Sequence, residues 1–150
     1  MNLSALFQNH VFWTGMAGWF LASILKVPVE RLRKHRWNWA LFFTTGGLPS
    51  SHSSLVTSIA MAVGLFYGFG TPLFAVAFTL ATVVVYDATG VRRQAGKQAQ
   101  KINILVEELL SGHPINEKHL LEAIGHTPLE ALSGVLLGLA VAVGLWFLWR

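Results

Sequence analysis

Two histidines stand beside residues that open apolar runs. His52 lies in Pro49-Ser50-Ser51-His52-Ser53-Ser54, and His126 lies in Gly125-His126-Thr127-Pro128-Leu129-Glu130. An imidazole can attack phosphorus as a nucleophile or protonate a leaving oxygen near neutral pH. Both segments read as helix starts, where unpaired backbone N–H groups and the positive end of the helix dipole favour a phosphate. The cations Lys26, Arg33, Arg92 and Arg93 follow or end two other apolar runs. Two histidines, a carboxylate at Glu130 and several cations form a set suited to phosphoryl transfer, provided the fold gathers them.

The elements that must gather them are membrane helices. Hydrophobic residues make up 53% of the 150-residue chain and charged residues only 12%, against about a quarter charged in soluble domains. The charges cluster in Lys26 to Arg36 and Asp87 to Lys101, with apolar runs between them. This pattern predicts a single all-α integral membrane domain over residues 1–150, a helical bundle. Four transmembrane spans are expected: Val11 to Val27, ended by Pro28 and the charges after it; Ser50 to Phe69; Pro72 to Tyr86; and Leu129 to Trp149. The first, at 17 residues, reaches about 25 Å, a slightly short crossing. Arg92 to Leu110 and a short segment after Asn116 read as surface helices between spans three and four. The N-terminus lacks Lys and Arg before its first apolar run, which argues against a cleaved signal peptide.

Four spans with a tight turn at Gly68-Phe69-Gly70-Thr71-Pro72 bring the ends of spans one and three to the same side as the starts of spans two and four. That side carries the basic residues, and the positive-inside rule places it in the cytoplasm. The net charge of +4 then points to anionic headgroups rather than nucleic acid. With no cysteine there is neither a disulfide framework nor a thiol nucleophile. Small residues at four-residue spacing, Ala60, Gly64 and Gly68 and again Gly134, Gly138 and Ala142, mark faces for close helix packing, within one chain or across a dimer.

Most of these residues also have a purely structural reading. Ser50 or Ser51 can simply cap a helix. Thr127-Pro128-Leu129-Glu130 is a capping box with proline at the first helical position, while Glu130 also falls four residues after His126, within reach of its ring. Lys26 to Arg36 reads as a positive-inside loop. Asp87, at the end of a span, is expected to pair with Arg92 or Arg93.

Three blocks carry a family resemblance: Gly46-Gly47-Leu48-Pro49-Ser50-Ser51-His52-Ser53, Tyr86-Asp87-Ala88-Thr89-Gly90-Val91-Arg92-Arg93-Gln94-Ala95-Gly96, and Gly125-His126-Thr127-Pro128-Leu129-Glu130. They resemble the divergent branch of the type 2 phosphatidic acid phosphatases, a group related to acid phosphatases and vanadium-dependent haloperoxidases. The main family carries Lys-x6-Arg-Pro, Pro-Ser-Gly-His and Ser-Arg-x5-His-x3-Asp motifs. Here Lys26 and Arg33 keep the first spacing, with Lys34 in place of proline. Pro49-Ser50-Ser51-His52 matches the second with Ser51 for glycine, and His126 with Glu130 matches the end of the third. The Ser-Arg pair is missing at its usual distance, where His119 and Leu120 stand; Arg92 and Arg93 occupy the topologically equivalent place.

The resemblance implies a lipid-phosphate or diphosphate phosphatase. His126 would be the nucleophile, His52 the general acid and Glu130 the residue that holds the tautomer of His126. Ser50, Ser51, Arg92, Arg93, Lys26 and Arg33 would bind phosphate. No metal or cofactor is expected. The partners would be an anionic lipid phosphate and the membrane, and a homodimer is an expected assembly for so small a bundle. The altered motifs also admit a non-catalytic protein that binds lipid headgroups or acts as a scaffold.

Overall fold

The computed structural model describes residues 3–35, 37–43, 46–110 and 127–150, all of them helical or in loops between helices. A short helix α1 (Leu3–Phe7) leads into α2 (His10–Lys34), followed by a 3-10 turn (Trp39–Phe43). Then come α3 (Ser51–Tyr67), α4 (Pro72–Thr89), α5 (Val91–Leu110) and α6 (Pro128–Trp149). The second surface helix expected after Asn116 falls outside the described residues.

Among the described residues three helical stretches, not the expected four, are long and apolar enough to cross a membrane: His10–Lys34, Pro72–Val106 and Pro128–Trp149. The remaining helix, α3, has 17 residues and opens on Ser-His-Ser-Ser. Its position explains that composition. It packs against α2, α4 and α6, so neighbouring helices rather than lipid meet its hydroxyls.

Those hydroxyls tie the bundle together. Ser54 Oγ donates to the carbonyl of Gly18 on α2 at 2.9 Å, and Ser58 Oγ donates to the carbonyl of Gly138 on α6 at 3.2 Å. Close approach depends on the glycines opposite. A Cβ on Gly138 would come within 2.6 Å of the Ser54 carbonyl oxygen, one on Gly134 would overlap that of Ser50, and one on Gly18 would overlap the Ser58 hydroxyl. The small face Gly134, Gly138 and Ala142 therefore packs inside the monomer. Gly64 makes room for the Phe69 ring rather than for another helix, and Gly68, at φ 101°, takes the conformation that starts the turn into α4. Among the described residues no buried side-chain nitrogen or oxygen lacks a hydrogen-bond partner, as the interior of a membrane bundle requires.

α2 also runs further than expected. It passes through Pro28, which is exposed, and continues two turns to Lys34. A proline removes one bond from the helical ladder, a loss that a long packed helix can absorb. The extension carries a Glu30–Lys34 ion pair of 2.9 Å at i,i+4 spacing, a favourable arrangement on an exposed helix face. The helix stops where His35 adopts a left-handed conformation and its N–H bonds to the Arg31 carbonyl.

The contacts fix directions. α2 runs against α3, α3 against α4, and α6 alongside α3, so one end of the bundle collects the end of α2, the start of α3, the end of α4 and the start of α6. Trp37 stacks on Trp39 at that end, while Trp13, Trp146 and Trp149 stand toward the other. α4 is loosely held, with only Ala81 and Ala88 buried.

Candidate functional site

The collected end centres on Lys26. This lysine is only 1% exposed, although its charge would be costly to bury without partners. Its Nζ donates to Ser51 Oγ at 3.2 Å, and the Glu130 carboxylate attracts its ammonium group. The loop before α3 closes over the side chain. A Cβ on Gly47 would lie 3.7 Å from the Lys26 methylenes, and Gly47 itself has φ 95°, where a glycine is favoured. Farther back along the same loop, Phe42 packs edge-on against Trp19 and Phe20 of α2.

Helix starts from two separate parts of the chain meet here. The Ser50 N–H donates to the Glu130 carbonyl at 3.0 Å, which locks the start of α3 to the first turn of α6. Ser50 caps α3: its Oγ accepts from the Ser53 N–H at 3.3 Å and from the Ser53 hydroxyl at 3.0 Å. The capping reading of Ser50 is thus observed, and its hydroxyl faces the protein interior. Ser51 differs, because its hydroxyl takes the lysine. His52, one residue on, is half-buried in the first turn of α3.

Thr127 and Glu130 form the expected capping box. The Thr127 N–H donates to Glu130 Oε2 at 3.1 Å, and the Glu130 N–H donates to Thr127 Oγ1 at 3.3 Å. One carboxylate therefore both stabilises the start of α6 and faces a buried ammonium.

Residues 7–141 match the divergent PAP2 family. The chain belongs to that family. It is also 36% identical over 152 residues to YuiD, an uncharacterised membrane protein of Bacillus subtilis (strain 168), an alignment covering 91% of this chain and 96% of that protein. No solved structure matches. Family membership, three apolar helical stretches and a membrane-protein relative together make the chain an all-helical membrane protein of phosphatase-like ancestry.

Of the residues singled out for this divergent PAP2 chain, Lys26, Ser50, Ser51, His52 and Glu130 come together at one end of the bundle. Arg33 lies on the exposed last turns of α2, seven residues beyond Lys26. Arg92 and Arg93 stand on the first turn of α5, directly after Gly90 ends α4; their side chains, and with them the expected pairing with Asp87, fall outside what the structure describes. His126 also lies outside the described residues, next in sequence to the Thr127 cap. The sequence reading contains neither the Lys26–Ser51 bond nor the close approach of α3 at Gly15 and Gly18, where a Cβ would overlap the Ile59 side chain and the Ser58 hydroxyl. The spacing Gly15-x-x-Gly18-x-x-x-Ala22 was the available signal for the second.

Proposed function

We propose that this protein hydrolyses the phosphate ester or diphosphate of a membrane lipid. The observation that carries the reading is the buried Lys26 ammonium, held by Ser51 at the positive end of α3 and faced by Glu130 at the start of α6. A buried lysine at a helix N-terminus concentrates positive potential at this end of the bundle, which attracts an anionic headgroup.

In this reading His126 attacks phosphorus in line, forming an N–P bond as the ester P–O bond breaks. The departing lipid oxygen takes a proton from His52. Lys26, the backbone N–H groups at the α3 start and the cations Arg33, Arg92 and Arg93 stabilise the equatorial oxygens. Water then cleaves the phosphohistidine to release inorganic phosphate. Glu130 orients its neighbours through its charge, and the basic end faces the cytoplasm. The purified protein, with a homodimer as the assembly we expect, is the form to assay. Reconstituted into vesicles containing a long-chain lipid monophosphate or diphosphate, it should release phosphate, and His52→Ala should slow that release by about 100-fold or more. Absence of release from either lipid class by the unaltered protein rejects the reading.

A second reading has a specific observation behind it. Lys26 and Glu130 both already have partners within the protein, an arrangement that suits a headgroup-binding or scaffold protein without turnover. Its signature is lipid-phosphate binding that survives substitution of both His52 and His126, with no phosphate released.

A further inference from the structure

α4 and α5 together are too long for one crossing. The 35-residue stretch Pro72–Val106 rises about 52 Å against a hydrocarbon core of about 30 Å, and the 18 residues of α4 already cover about 27 Å. α4 ends at Gly90, which leaves helical geometry. α5 therefore begins at the membrane face, on the end of the bundle that collects the basic residues.

Among the described residues α5 packs against α4 alone, yet its sides differ. Gly96 and Asn103 are buried on one side, while Val91, Ala95, Gln98, Ile102, Leu105 and Leu109 are all exposed. These exposed positions recur at alternating intervals of four and three residues, the spacing of a coiled-coil seam. Leu105 is 55% exposed and Leu109 84%, and a row of this kind marks a surface that another molecule covers.

Charge indicates what covers it. The first half of α5 holds Arg92, Arg93, Lys97 and Lys101, and the second half holds Glu107 and Glu108 with no cation. An anionic leaflet attracts the first half and repels the second, which carries the larger apolar residues. A second α5 laid antiparallel meets each half with the opposite sign, whereas a parallel one sets like charges together. Symmetry agrees with the antiparallel choice. Two copies inserted the same way in one bilayer are related by a two-fold axis along the membrane normal, and that axis makes helices lying across the membrane face antiparallel.

We infer that α5 pairs antiparallel with α5 of a second copy, Ile102 facing Leu105 and Gln98 facing Leu109, each contact occurring twice about the two-fold axis. In this register position 101 of one helix lies beside position 108 of the other, so a lysine and a glutamate flank the seam at both places. The polar Gln98, confined to the outer layers, helps to fix the register. The seam is short, but the bilayer holds both copies in one plane and raises their effective concentration. The pairing gives the expected homodimer a defined interface and does not depend on hydrolysis at the Lys26 site.

The chain contains no cysteine, so introduced thiols report only on themselves. Full-length Gln98→Cys and Leu109→Cys proteins are reconstituted in vesicles at a low protein-to-lipid ratio, separately and mixed, and treated with a short thiol-to-thiol crosslinker. The mixture should crosslink, and each protein alone should do so about tenfold less, because like positions stand about 16 Å apart along the seam. Lys101→Glu, introduced into both proteins, should lower the yield of the mixture about fivefold, and adding Glu108→Lys should restore it. Self-crosslinking of Leu109→Cys as strong as that of the mixture would overturn the antiparallel register. A mixture that stays monomeric, as expected if lipid or another part of the same chain covers the seam, would overturn the pairing. So would equal self-crosslinking of Ile104→Cys, which lies on the opposite side of α5, or failure of the double charge reversal to restore the yield.

Discussion

Lys26 Nζ donates to Ser51 Oγ across 3.2 Å, joining the fifth turn of α2 to the first residue of α3 with the lysine side chain withdrawn from solvent. This bond places a fixed positive charge against a helix N-terminus, so two positive features act on one small volume. Lys26→Met keeps most of the volume and removes the charge. Turnover of a lipid phosphate should fall by about 100-fold or more, while the variant still folds as a helical bundle by circular dichroism. Unchanged turnover in a folded Lys26→Met protein would remove this lysine from the site.

Glu130 separates two roles that its position combines. Glutamine can serve in a capping box nearly as well as glutamate, but it carries no charge to face Lys26. Glu130→Gln should therefore keep thermal stability close to the parent and lose activity, whereas Thr127→Ala should cost about 1 kcal/mol of stability through the cap. Thermal unfolding in detergent and phosphate release, measured on both variants, check the pair of expectations. Full activity in Glu130→Gln would leave the residue a structural cap.

The glycines of α6 are not equivalent. A Cβ at Gly134 overlaps the Ser50 carbonyl oxygen, while one at Gly144 meets nothing within 4 Å. Gly134→Ala should force α6 away from α3 and cost about 1–3 kcal/mol. Gly144→Ala should be neutral or stabilising by up to about 1 kcal/mol, since alanine is the better helix former. Equal melting temperatures for the two variants would contradict the close packing of α3 on α6.

Much of this architecture was legible in the sequence because membrane helices announce themselves by apolar runs and by glycine and proline punctuation. The Gly68 turn, the Thr127 cap and the Ser50 cap were all read from local chemistry, and local chemistry decides them. Pro28 misled because its effect depends on context: a proline that would end an isolated helix is carried through by the packing of the turns around it. The α3 run misled in the opposite way. Its apolar run suggested a fourth span, yet its serines bond to Gly18 and Gly138 of flanking helices, a relationship that no local pattern contains.

The candidate site was legible in part for the same reason. His52, Ser51 and Glu130 lie in short recognisable segments, and antiparallel order was enough to bring them to one end. Lys26 reads in the sequence both as a charge of a basic loop and, by its spacing to Arg33, as a phosphate ligand, but neither reading contains its burial. Only the structure shows it withdrawn from solvent among α3 and the loop that ends at Gly47, which is what makes it the centre of the site.

Hydrolysis at this site requires that a histidine carry the phosphoryl group. It is tested most directly by acid-labile, alkali-stable labelling of the reconstituted protein after rapid quenching with a lipid phosphate radiolabelled at phosphorus. Labelled phosphohistidine is expected in the parent protein and none in His126→Ala. Label retained by His126→Ala, or phosphate release by the parent without any trapped label under conditions that slow hydrolysis of the intermediate, would contradict it.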